Sequence, residues 1–206
     1  MLRIWGRLSS INVRKVVLTA RMLDIPFERI DAGSEFGIVR TPEYLAKNPN
    51  ALVPVIEDGG FVLWESNVIV RYLCARHSPG RLYPDELATH FDAERWMDWQ
   101  QTTLNPAGRN AFIQLVRTPE DKRDGTLIAN SVAATEPLMD LLDQHLRRRA
   151  FMAGERLTIA DIPIACEIHR WHGLPRERPD RPHLDRWYQG VLALPAAHGV
   201  LDISLC

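Results

Sequence analysis

The chain has 206 residues, 46% of them hydrophobic and 25% charged, which is the composition of an ordinary soluble globular protein with material for one large domain or two small ones. Its 25 Lys and Arg are scattered among 26 Asp and Glu, and the net charge of −1 argues against a nucleic-acid or membrane-surface partner. Cys74, Cys166 and Cys206 are odd in number and far apart, no apolar run reaches membrane-spanning length, and the N-terminus lacks a signal peptide's apolar core; the expectation is a reducing, cytoplasmic setting with no metal and no membrane partner.

In chain order, Leu2–Trp5 reads as a short strand and Gly6–Asn12 as a loop of turn formers. Val13, Val16, Val17, Ala20 and Leu23 mark one face of a helix, with Ser10 or Asn12 as its cap. Ile25–Ile30 reads as a second strand, so this unit predicts a parallel, right-handed crossover. After a loop over residues 32–39, Thr41-Pro42 opens a short capped helix. Asn48-Pro49-Asn50 is a turn, Val53–Ile56 and Phe61–Trp64 are strands, and Asp58-Gly59-Gly60 between them is a hairpin signal. Ser66 is expected to cap a helix carrying Ile69, Tyr72 and Leu73 and ending near His77. The order βαβ, α, ββα is that of a thioredoxin-like domain, placed at residues 1–78, followed by a linker at 79–88.

Beyond Leu87 no strand is predicted, so residues 89–206 form an all-helical domain. A helix from Phe91 is expected to break at Asn105-Pro106, with Ala111–Val116 continuing after the break. Thr118-Pro119 is expected to cap the next helix, whose apolar face runs to Leu146 and whose cationic end is Arg147–Arg149. Thr158 and Asp161 are spaced as a capping box, with Leu157 and Ile162 as its hydrophobic staple. His169 and His172 lack an acidic or Cys partner nearby and read as packing residues. Leu184–Leu194 is the last helix.

The stretch from Val53 to Tyr72 carries the functional signal. Pro54 heads a strand, where it removes a ladder donor, and Glu65-Ser66 places a carboxylate and a hydroxyl at the positive end of a helix. Amides there suit a carboxylate, and Glu65 suits an ammonium; the simpler reading is a cap and a favourable dipole contact. Taken together, Val-Pro-Val-Ile, a Gly hairpin, Trp-Glu-Ser and an Ile-x-x-Tyr-Leu helix resemble the glutathione-binding half of the cytosolic glutathione transferases. The helical half resembles that family's second domain through its Gly…Leu-Thr-x-Ala-Asp pattern.

The resemblance implies that Val53 pairs its backbone with the cysteinyl unit of glutathione, that Pro54 is cis, and that Glu65, Ser66 and the following Asn67 lie at the γ-glutamyl end. In the serine-type members, the theta and delta classes, a catalytic serine precedes the first helix in Ser-x-Pro-Cys-Arg-x-Val. Ser10-Ile-Asn-Val-Arg-Lys-Val16 lines up with it, so Ser10 matches the thiolate-stabilising serine, Asn12 replaces the proline and offers a donor of its own, and Ser9 competes one residue away. The family's histidine falls at Ala51 and the arginine after Glu-Ser falls at Asn67, leaving Lys47, Arg40 or Arg7 as substitutes.

The implied function is transfer of the glutathione thiolate, with glutathione as co-substrate, to a small hydrophobic electrophile held between the halves. Trp5, Leu8, Phe36, Trp96, Trp99, Asn105, Arg109 and Phe112 are its candidate lining. A homodimer is implied by the resemblance, with Asp98 or Gln101 reaching the partner's site. The alternatives are a non-catalytic glutathione- or protein-binding member of the fold, or a glutathione-dependent isomerase, dehalogenase or disulfide reductase. A cysteine-based reductase is disfavoured, because the first loop has no Cys.

Overall fold

The structure is a computed structural model in which residues 1–205 are described; Cys206 lies outside them. Four strands, β1 (Leu2–Trp5), β2 (Phe27–Ile30), β3 (Val55–Asp58) and β4 (Phe61–Trp64), form one sheet in the order β2-β1-β3-β4. β1 and β2 are parallel, joined through α1 (Ile11–Met22), and β3 runs antiparallel to both β1 and β4. This is the predicted thioredoxin-like arrangement. Alternation on β1 divides the layers: Leu2 and Ile4 bury against α1 and α3 (Ser66–His77), while Trp5 packs on the other face with Tyr44 of α2 (Pro42–Leu45).

Several boundaries depart from expectation. β2 starts at Phe27, because Pro26 cannot donate to a ladder. Ser66 is the first residue of α3, not its cap; Glu65 holds the cap position with φ 73°, a backbone region unusual for a side-chain-bearing residue. The hairpin turn falls as predicted at Gly59 and Gly60, both with positive φ. Thr41 caps α2 as predicted, accepting from the Tyr44 amide at 3.3 Å.

The second half is helical, as the sequence implied. α4 (Leu87–Trp99) is capped by Glu86, whose carboxylate accepts from the amides of Ala88 and Thr89. The predicted break at Pro106 does not occur. The helix widens to π geometry over Gln100–Leu104 and runs on as α5 (Asn105–Phe112), with a second wide turn at Ile113–Arg117. The wider turn accommodates a proline that lacks an amide and would crowd the carbonyl four residues back. Thr118 does not start a helix; its hydroxyl donates to the Ile113 carbonyl, and Asp124 caps α6 (Gly125–Leu146).

α7 (Asp161–His172) is the helix that both halves share, and α8 (Pro182–Leu192) packs outside it. The predicted capping box is present: the Thr158 amide donates to Asp161 Oδ2 at 2.8 Å. Asp161 also accepts from the Met152 amide and from Trp187 Nε1, both at 2.9 Å, so a fully buried carboxylate ties three segments together. One apolar cluster runs from Ile4 through Val17 of α1 to Ile168 of α7 and Trp187 of α8, without a gap between the halves. His169 and His172 are largely buried; burial pushes their pKa values down to about 4 and about 3, and His169 Nε2 meets Arg14 Nη1 at 2.7 Å. Both therefore serve the interior as neutral rings. No described helix is long and apolar enough to cross a membrane.

Candidate active site

Three chain segments converge at one end of the sheet. The first is the loop from β1 to α1. Gly6 makes its close passage possible: φ is +149°, and a Cβ there would stand 2.4 Å from Val13 Cγ2 and 3.2 Å from Val53 Cβ. Ser10 is the N-cap residue of α1, its carbonyl accepting from the Val13 and Arg14 amides at 3.0 Å. Its hydroxyl makes no capping bond and no other bond within the described chain, and the amides of Ile11 and Asn12 are likewise left over at the helix start.

The second segment is the turn before β3. The Val53–Pro54 bond is cis, as the resemblance implied, and Val53 itself lies outside the sheet with its backbone N–H and C=O unpaired. The third is the start of α3. Glu65 is exposed, and its carboxylate has no partner in the described chain. The amides of Ser66, Asn67 and Val68 open the helix without acceptors.

A direct bond joins the first segment to the third: Ser66 Oγ donates to Asn12 Oδ1 at 3.2 Å. Ser10, Asn12, Val53, Pro54, Glu65 and Ser66 thus gather around one rim. With its oxygen engaged, Asn12 keeps both Nδ2 hydrogens free. Ser9 borders a small cavity that Phe112 and Arg170 of the helical half also line. Asn67 is at the site by its backbone only. Its side chain is buried, Nδ2 donating to the Met97 carbonyl at 2.8 Å and Oδ1 accepting from Lys15 Nζ at 3.1 Å.

The proposed substitutes for the missing basic residues fare differently. Lys47 is paired with Glu57 at 3.1 Å and lies 5.5 Å from the Trp5 ring. Arg7 covers Gly33, and Arg40 is exposed. Of the candidate lining residues, Trp96 is buried and Trp5 is half-buried. Trp5 Nε1 donates to Glu57 at 2.6 Å, and Trp96 is buried against His145 and Trp99. Asn105 is held by Arg170 at 3.0 Å. Phe112 lies between the guanidiniums of Arg117 and Arg170, at 4.7 and 5.4 Å. Burial first, and then the charges of Arg7 and Arg170, lower the pKa of Arg117, which lies in the wide turn after α5. A groove of about 930 Å³ lies elsewhere, beneath the far ends of α1 and α3 and lined by Met22, Ile25, Arg81 and Leu157.

Sequence reasoning missed Lys15. It reads as one more residue of an amphipathic helix, yet it is fully buried and donates to Asn67, Gln100 and Gln101. No local signal in the sequence separates it from a solvated lysine.

Comparison with known proteins identifies the family. The family model for the glutathione S-transferase N-terminal domain matches residues 5–81, and that for the C-terminal domain matches residues 105–195. Glutathione S-transferase GstB of Escherichia coli K12 is 42% identical over 207 aligned residues, covering all of both chains. Glutathione S-transferase 4 of Zea mays is 26% identical, covering 96% of this chain and 91% of its own. The crystal structure of a theta class glutathione S-transferase from Xanthomonas axonopodis pv. citri, with glutathione bound, superposes with a TM-score of 0.96 at 39% identity, covering 100% of this chain and 99% of the other. The chain belongs to the glutathione S-transferase family.

Proposed function

We propose that this chain binds glutathione along the Val53–Pro54 turn and the start of α3, and transfers its thiolate to a small hydrophobic electrophile in the cleft above. The observation that carries the reading is the Asn12–Ser66 bond of 3.2 Å, which places the free donors of the first loop beside the free amides of α3. The γ-glutamyl carboxylate takes the Ser66 and Asn67 amides, its ammonium takes Glu65, and the Val53 backbone pairs with the cysteinyl unit. The sulfur then lies by Ser10 Oγ and Asn12 Nδ2, at the positive end of α1.

The energetics are sufficient. A thiol with pKa about 8.5 is only a few per cent ionised at neutral pH; lowering it by about two units requires roughly 2.7 kcal/mol of preference for the anion. A hydrogen bond to a charged acceptor supplies about 1.5–3 kcal/mol and a helix N-terminus up to about 2. Two donors and a dipole reach that total without a metal. Ser10 is assigned the main role, Asn12 the second, and Ser9, which borders the small cavity that Phe112 also lines, none.

The ultraviolet absorbance of bound thiolate tests this. Ser10→Ala is expected to raise the pKa of bound glutathione by about one unit and to lower turnover near pH 6.5 about fivefold. Asn12→Ala is expected to do so by less, and Ser9→Ala not at all. A normal titration in Ser10→Ala with a displaced one in Ser9→Ala reverses the assignment. A homodimer is part of the proposal: Phe61, Val62, Val68, Leu87 and Phe91 leave an exposed apolar surface along β4, α3 and α4. Of the two residues expected to reach a partner's site, Gln101 is taken by Lys15, and Asp98, 72% exposed, is paired with Arg71 at 2.6 Å. A cytoplasmic location accompanies this reading.

A further inference from the structure

Lys15 is a cation placed where folding alone gives it little reason to be. It sits on α1 one turn beyond Asn12, fully buried, with Nζ donating to Asn67 Oδ1 at 3.1 Å, Gln100 Oε1 at 2.9 Å and Gln101 Oε1 at 3.2 Å. All three acceptors are neutral, and together they exhaust the ammonium's donors. The carboxylate of Glu167 is one step further away, taking the other end of Gln100 at 2.7 Å and already paired with Arg170. The ammonium's charge is therefore solvated by amides but not neutralised by a contacting anion. Asn67 is the second residue of α3, so the charge sits behind the same first turn whose free amides face the ligand rim. A helix N-terminus is already positive. A buried ammonium beside it raises that potential further, which is unfavourable until an anion arrives.

On the glutathione reading given above, we infer that Lys15 is a positioning residue that supplies the charge by which the α3 terminus selects the γ-glutamyl carboxylate, acting through Asn67 and not by direct contact. The competing account is that Lys15 only pins α1 to the helical half.

Its titration fits the charged role near neutrality and limits it above. Burial pulls its pKa down from 10.5 to about 8. The groups facing it from neighbouring elements are Glu167, Cys166 and Arg170 of α7 and Glu65 before α3; Glu167, Cys166 and Glu65 oppose the fall and Arg170 adds to it. The empty protein therefore loses this charge as pH rises through about 8, and a carboxylate bound nearby holds the proton on.

The test compares two ligands by calorimetry on the full chain: S-methylglutathione, and the same tripeptide with 4-aminobutanoate in place of γ-glutamate, which keeps the ammonium and lacks the carboxylate. In Lys15→Met, preference for the first over the second is expected to fall about tenfold while affinity for the second is unchanged. Equal weakening of both ligands, or an unchanged preference, overturns the inference and leaves Lys15 a structural pin. Should Lys15→Met not fold, the wild-type chain decides: the preference should shrink severalfold between about pH 7 and about pH 9, and a constant preference overturns the inference. If wild type binds neither ligand, the glutathione reading itself fails, an outcome distinct from the failure of Lys15 alone.

Discussion

Glu65 illustrates how much of the site lies in single residues and how unevenly they can be read. Its carboxylate beside Ser66 is visible in the sequence, but its backbone is not: φ of 73° belongs to the region glycine favours and costs on the order of 1–3 kcal/mol for other residues. A strained residue at a rim, with an unpaired carboxylate, is one the fold tolerates for something other than stability. Glu65→Gly is therefore expected to leave urea stability unchanged or about 1 kcal/mol higher while weakening glutathione binding at least tenfold; a stability loss with intact affinity contradicts this. The hydroxyls and amide of Ser9, Ser10 and Asn12 were legible as types, but their partners were not, because the Asn12–Ser66 bond joins residues 54 positions apart. Lys15 was illegible, since burial of a charge depends on Gln100 and Gln101, over eighty residues away.

At the scale of elements, local signals were read well where chemistry is local. The Gly59-Gly60 turn, the Thr41 cap and the Thr158–Asp161 box follow from side chains a few residues apart. Two expectations failed because tertiary context governed. Pro106 does not end its helix, since a π turn absorbs it, and Ser66 yields the cap position because its hydroxyl is used by Asn12. Asp161 shows the reverse, a local motif with a long reach. Burial pushes its carboxyl up to about 6, and its donors from Met152, Thr158 and Trp187 hold it in place. Removing it strands several buried donors, each worth about 1–3 kcal/mol. Asp161→Ala is accordingly expected to lose about 3 kcal/mol or more in urea unfolding; a loss below 1 kcal/mol would show that water satisfies those donors.

Over the whole molecule, the division into a thioredoxin-like half and a helical half was legible from the order of periodicities, but the single core was not. α1 is flanked by α3 on one side and α7 on the other, and Arg14 reaches the backbone carbonyls of Val200 and Ser204 near the far end of the chain. With no apolar gap at the seam, the two halves are expected to unfold together. Urea transitions followed by tryptophan fluorescence, which reports mainly the helical half, and by far-ultraviolet dichroism should coincide; separated midpoints would mean independent domains. The shared core also explains how α1 begins at the free hydroxyl of Ser10 while Lys15, farther along, is held by Asn67 of one half and by Gln100 and Gln101 of the other. The most direct test of the account is a crystal structure of the chain with glutathione. It should show the γ-glutamyl carboxylate on the Ser66 and Asn67 amides and the sulfur within about 3.5 Å of Ser10 Oγ or Asn12 Nδ2. A tripeptide bound elsewhere, or a sulfur turned away from both donors, contradicts it.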